Sequence, residues 1–127
     1  MNGAGFLAVG AGAALGAWLR WGLSVALNHL TPNLPLGTLA ANLIGGYLIG
    51  AAVEILVHQS LLTPEWRLFI ITGFLGGLTT FSTFSAEAVG LLSRGQYAWA
   101  SALIGTHLAG SLLMTMLGIM TVRALGH

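Results

Sequence analysis

The chain has no cysteine, no lysine and no aspartate; four arginines and three glutamates carry all its formal side-chain charge. Without cysteine there is no disulfide frame, no thiol nucleophile and no thiolate metal site, although the redox compartment stays open. A net charge of +1 provides no electrostatic footprint for nucleic acid, so no nucleic-acid partner is expected. Charged residues make up 6% of the chain, against about a quarter of an ordinary soluble domain. That deficit excludes a soluble globular protein. Proline is confined to Pro32, Pro35 and Pro64, which leaves long segments without a helix breaker.

What fills the space is apolar: 56% of the residues are hydrophobic, and they gather into four stretches. These run from Gly5 to Asn28, Gly37 to Val57, Trp66 to Leu92 and Tyr97 to Ala124, each near the roughly 20 residues that cross a hydrocarbon core. Thr31-Pro32-Asn33 with Pro35 marks a turn, the segment from His58 to Glu65 a second connection, and Ser93-Arg94-Gly95-Gln96 a third. Trp18, Trp21, Trp66, Tyr97 and Trp99 fall near the expected span ends, where interfacial aromatics belong. No basic region precedes the first stretch, so it is expected to be a retained span and not a cleaved signal. The expectation is one all-α membrane domain over residues 1–127, with four transmembrane helices and no room for an extramembrane domain.

Gly12 and Gly16, Gly46 and Gly50, and Gly73 and Gly77 are spaced for close helix packing through small residues. Four spans place both termini and the second loop on one side, with Arg67 and Arg123. The other side holds Arg94 and, at the margin, Arg20. The positive-inside rule therefore names no orientation, which leaves either a weakly oriented protein or insertion both ways, with an antiparallel dual-topology homodimer as the product.

The third stretch is where a helix should fail. Gly76-Gly77 withdraws side-chain support, and Thr79 or Thr80 can cap a new helix. A break at membrane depth frees backbone groups that only protein or water can satisfy, and broken helices mark ion sites in membranes. Phe81 and Phe84 follow it three residues apart; they are either packing residues or a pair whose positive ring edges could meet a small anion. Thr80, Thr83 and Glu87 form a neighbouring stripe, and Glu87 should face a cavity or a hydrogen-bonding partner because lipid would not tolerate it. Thr38, Asn42 and Gly45 or Gly46 share a face of the second span. Asn42 is read either as an interhelical hydrogen-bonder or as an amide turned into an aqueous path. His107, Ser111 and Thr115 make a polar track on the fourth span. His107 is either a packed core residue or part of that track, and no second His or acid lies near enough in sequence to suggest a metal site. Arg20 either snorkels to the interface or supplies positive potential at the mouth of an anion path. No motif sets a nucleophile beside a base, so the chain is not expected to be an enzyme.

Gly73-Phe-Leu-Gly-Gly-Leu-Thr-Thr-Phe-Ser-Thr-Phe-Ser-Ala-Glu87, with Gly37-Thr-Leu-Ala-Ala-Asn-Leu-Ile-Gly45 and Gly16-Ala-Trp-Leu-Arg20, resembles the Fluc (CrcB) fluoride channel family across all four spans. The resemblance implies a fluoride-selective, passive channel in the bacterial inner (plasma) membrane that serves fluoride resistance. It also implies an antiparallel homodimer with two fluoride pathways and one central structural Na⁺ at the dimer interface, held by the carbonyls of Gly76 and Thr79. Carried over by motif, the pathway residues are Asn42, Phe81 and Phe84, with Thr80, Ser82 and Thr83 beside them and Ser111 and Thr115 on the fourth span. Arg20 and Glu87 match positions within the same resemblance. The alternative is a small multidrug-resistance-type exporter of similar size and charge balance. Such exporters use a membrane-embedded glutamate in the first helix, where this chain has only Arg20.

Overall fold

The computed structural model describes residues 1–58 and 62–126. The tip of the second connection, residues 59–61, lies outside them. Among the described residues four helical rods, Gly3–Leu30, Leu36–His58, Pro64–Ser93 and Tyr97–Leu125, are long and apolar enough to cross a membrane. Their bounds agree with the expected spans to within two residues. All secondary structure in the described residues is helical.

Helix α1 (Gly3–Leu27) begins where the Asn2 side chain accepts the Gly5 N–H at 2.7 Å, and it continues into a 3₁₀ turn, Asn28–Leu30. Asn28 then caps its successor: its Oδ1 accepts the N–H groups of Gly37 and Thr38 at 2.7 and 3.1 Å, the first turn of α2 (Leu36–His58). Orphan donors at a helix start are thus satisfied by a side chain from the previous span.

The third rod is composite. Thr63 caps α3 (Pro64–Arg67), with Pro64 in the first turn. Leu68–Leu75 follows as π-helix and α4 (Gly76–Leu78) as one further turn. Thr79 and Thr80 are then extended, with ψ of 153° and 118°, before α5 (Phe81–Ser93) begins. The glycine pair does not itself break the helix: Gly76 keeps helical angles, φ −62° and ψ −37°. The break comes at the two threonines, and Thr80 is the residue that caps the new helix, accepting the Thr83 N–H at 3.2 Å. Helix α5 closes on Gly95, the one described residue with positive φ (72°). The Gln96 and Gly95 N–H groups reach back to the Leu91 and Leu92 carbonyls at 2.9 and 3.0 Å, a Schellman closure that glycine permits. Helix α6 is Tyr97–Leu125.

Backbone-on-backbone contact through glycine joins the rods in two parallel pairs. Gly12 and Gly16 of α1 lie on the Phe69 and Phe74 carbonyls, and Gly73 and Gly77 of the third rod lie on Val9 and Ala13. In the other pair Gly50 meets the Thr115 carbonyl and Gly118 meets the Tyr47 carbonyl, so α2 and α6 run alongside each other. A methyl group at any of these glycines would collide with main chain, which is the physical content of the small-residue spacing. Little side-chain core is left: one cluster holds Ala41, Leu75 and Leu78, the other Ala88, Leu91, Ala100 and Leu103.

Candidate functional site

The broken segment is held open by a residue from another span. Asn42 Oδ1 accepts the Thr80 N–H at 2.7 Å, and its Nδ2 donates to the Thr80 carbonyl at 3.0 Å. The same Nδ2 lies 3.0 Å from Nδ1 of His107 on α6. An asparagine amide here stands in for a strand neighbour, pairing both polar groups of one extended residue. Because both its N–H positions face these two acceptors, Asn42 works in this arrangement as an interhelical clamp.

Arg20 is half-buried and points inward, its Nε donating to the Gly77 carbonyl at 3.0 Å. In that position it caps the carbonyl end of the helix that stops at Leu78, where positive charge is favoured. Two of the carbonyls released by the break therefore have side-chain donors, Gly77 from Arg20 and Thr80 from Asn42. Among the described residues no side chain and no turn or cap hydrogen bond reaches the carbonyls of Gly76 and Thr79, and Gly76 is exposed. Thr79 turns its hydroxyl back to the Leu75 carbonyl at 2.9 Å and rests its methyl group over Gly45.

Beyond the break, Phe81 and Phe84 meet edge to face, with centroids 5.4 Å apart and planes at 63°. Phe84 also lies against the His107 ring, at 4.8 Å and 37°. Phe81 is 78% exposed, so its ring is not a core element of one chain. Thr80 donates its hydroxyl to Thr83 Oγ1 at 3.1 Å, with Ser82 Oγ at 3.4 Å, so the three hydroxyl residues form one local cluster at the start of α5. Glu87 accepts the Thr38 hydroxyl on Oε2 at 2.7 Å, while its Oε1 is buried without a partner. Thr38 is 1% exposed.

A groove of about 730 Å³ connects much of this set. Asn42, Thr79, Thr80, Phe81, Phe84, His107 and Ser111 border it, along with Gly76. The structure does not bring every expected residue there. Thr115 packs its hydroxyl on the Gly46 carbonyl at 2.9 Å and the Ser111 carbonyl at 3.0 Å. Ser82, Thr83 and Arg20 are not on its wall, and Glu87 borders a separate cleft of about 190 Å³ with Arg94 and the Pro32–Pro35 turn.

Two relationships were not readable from spacing. One is the Asn42–His107 contact between spans 65 residues apart. The other is an ion pair that joins the ends of α2 and α6: buried Glu54 accepts Arg123 Nε at 2.9 Å and lies 2.9 Å from His58 Nε2. The separate occurrence of Glu54 and Arg123 near the ends of two spans was the only available signal.

Residues 7–119 match the family model described as CrcB-like protein, Camphor Resistance (CrcB). The chain is 72% identical over 116 residues to a protein of Nitrosospira multiformis named fluoride-specific ion channel FluC, covering 91% of each chain. It is 60% identical over 126 residues to the protein of that name from Ralstonia nicotianae, covering 99% of this chain and 100% of that one. A third, from Cupriavidus taiwanensis, is 61% identical over 125 residues, covering 98% and 99%.

Proposed function

The chain belongs to the CrcB family, and from that membership we propose that it is a fluoride-specific ion channel, a transport protein and not an enzyme, spanning the bacterial inner membrane and relieving the cell of fluoride by passive export. The observation that carries the reading is the clamped break. Extended backbone at Thr79 and Thr80, pinned by Asn42, is tolerable at membrane depth only beside protein or water. Here it borders a groove walled by Phe81 and Phe84.

The groove is open on one side of the single chain, and Gly76 and Thr79, whose carbonyls no side chain reaches among the described residues, border it. Lipid cannot satisfy those carbonyls. A second copy of the chain in antiparallel orientation would cover them, consistent with a charge distribution that names no preferred orientation. The same two carbonyls form the donor set expected for a structural Na⁺. Hard oxygen donors suit a hard cation, and these two are the ones that Arg20 and Asn42 leave unclaimed. One chain supplies too few oxygens, and a second copy would double them. When bound, the ion would supply positive charge that stabilises the helix ends across the dimer.

In this reading fluoride exchanges water for weak donors in succession. Phe81 and Phe84 present ring edges, and Ser111 presents a hydroxyl, with Thr80, Ser82, Thr83 and Thr115 shaping the helix starts and walls around them. Asn42 holds the break in register, Arg20 stabilises its carbonyl end, and Glu87 with Thr38 forms the polar layer one turn beyond Phe84. None of these donors is a full cation free to trap the anion, as conduction requires.

The test is efflux from liposomes containing the purified full chain, read with a fluoride electrode and repeated with chloride. Rapid uncoupled fluoride efflux with negligible chloride efflux is the expected result. Silence for both ions from inserted protein would overturn the reading.

A further inference from the structure

The Asn42 amide can be oriented in one way only. Its atom facing the Thr80 N–H at 2.7 Å must be the acceptor, Oδ1. That leaves Nδ2 facing the Thr80 carbonyl and His107 Nδ1, both at 3.0 Å. An amide nitrogen offers no lone pair, so His107 Nδ1 must accept and cannot carry a proton. An imidazole with a bare Nδ1 is neutral and keeps its proton on Nε2. The backbone of Thr80 thus determines, through Asn42, which nitrogen of His107 is a donor.

That donor has no partner. His107 is 4% exposed, and Nε2 is buried with no protein group to accept its hydrogen. A buried unpaired N–H is rare in folded proteins. The ring lies against Phe84, and both border the groove that holds the helix break.

We propose that His107 is an anion-binding residue, whose Nε2–H, fixed by the Thr80–Asn42 clamp, donates a hydrogen bond to a fluoride ion held beside Phe84. The proposal rests on the reading of the chain as a fluoride channel. Its chemistry suits transit: a neutral N–H orients toward a small, strongly accepting anion without the full charge that would retain it. Chloride, larger and a weaker acceptor, gains less from the same donor.

Two measurements test this. The first is ¹⁵N NMR of the full chain labelled at histidine, with the His107 signals assigned by their loss in His107→Gln. The expected result is a neutral ring protonated at Nε2, whose Nε2–H signal moves on adding sodium fluoride and not on adding sodium chloride at equal ionic strength. A proton on Nδ1, or an Nε2–H signal indifferent to fluoride as a water-bonded group would be, overturns the proposal. The second is flux in two variants that split the ring. His107→Gln places an amide N–H near the former Nε2 and gives up the Nδ1 acceptor, whereas His107→Asn keeps an acceptor near Nδ1 and gives up the distal donor. Gln should conduct fluoride better than Asn by about tenfold or more, as the loss of one hydrogen bond to a charged partner implies. The reverse order would make His107 a mere support for Asn42. Wild-type protein that conducts while its Nε2–H ignores fluoride defeats only this inference; wild-type protein that conducts no fluoride defeats the channel reading and this inference with it.

Discussion

Asn42 and Thr80 hold each other in both senses, side-chain oxygen to backbone N–H at 2.7 Å and side-chain nitrogen to backbone carbonyl at 3.0 Å. The pair converts an interrupted helix, which lipid would reject, into a defined extended joint between α4 and α5. It also explains why the interruption sits at Thr79–Thr80 and not at the glycines before them. The site depends on this joint, since Phe81 and Phe84 take their positions from the helix that starts there.

Replacing Asn42 with Asp should therefore damage two things at once. The carboxylate keeps an acceptor for the Thr80 N–H, but it faces the Thr80 carbonyl and His107 Nδ1 with no hydrogen to give. Two lost hydrogen bonds, at about 1 kcal/mol each before any repulsion, should lower unfolding stability in detergent, and fluoride efflux should fall sharply. Full activity with unchanged stability would show that the clamp is dispensable.

Phe81 offers the cleaner test of the aromatic wall. With 78% of its surface exposed, Phe81→Ile should leave the helices folded while removing the ring edge. Fluoride efflux should collapse with the circular dichroism spectrum and oligomeric state unaltered. Unchanged efflux would remove ring edges from the mechanism.

Thr38 is the one hydrogen-bond donor to Glu87 among the described residues. Thr38→Val keeps the shape and leaves the carboxylate with neither oxygen satisfied, which should cost about 1–3 kcal/mol; Thr38→Ser should restore most of that. Equal stabilities for Val and Ser would mean that Glu87 is satisfied from elsewhere.

The glycines of α1 separate packing from mere composition. Gly12→Ala and Gly16→Ala each drive a methyl group into the carbonyl of Phe69 or Phe74, whereas a methyl group at Gly22 meets nothing within 4 Å. The first two should lose about 1–3 kcal/mol, the usual cost of overpacking, and Gly22→Ala should be neutral or better. Comparing the melting temperatures of the three variants decides it.

If the carbonyls of Gly76 and Thr79 take Na⁺, thermal stability should rise with Na⁺ at constant ionic strength, as mass action requires of any ligand bound only to the native state. Replacement by a bulky organic cation should reverse the gain. A melting temperature indifferent to the exchange would leave those carbonyls to water.

Much of this architecture was legible in the residues. The four spans and their ends follow from apolar length and from where the prolines fall, and the paired glycines marked faces that pack closely without saying which rods they join. The location of the break was legible to within a few residues, because Gly76-Gly77 and Thr79-Thr80 stand together. Which pair did what was not, since glycine tolerates helix as well as interruption, and only Asn42 approaching Thr80 decides the matter. The π turns of Leu68–Leu75 have no signature in an all-apolar stretch. The partner of Arg20 was hidden for a related reason: its place near a span end left both the interface and the mouth of a path open, whereas its Gly77 partner is on another rod. Side-chain pairings between spans depend on rotation about each helix axis, and composition does not encode that angle.

The parallel glycine pairs bear on how the chain is assembled. The first span's close partner is the third, and the second span's is the fourth, so each tight pair skips the segment made in between. During synthesis the first two spans would enter the bilayer as a loose hairpin with their notched faces still vacant. The first of these seams can close only after the Gly73 face arrives, and the second only with Gly118, near the end of the last span. The seams can therefore close only in that order, and commitment to the native bundle waits for the last span.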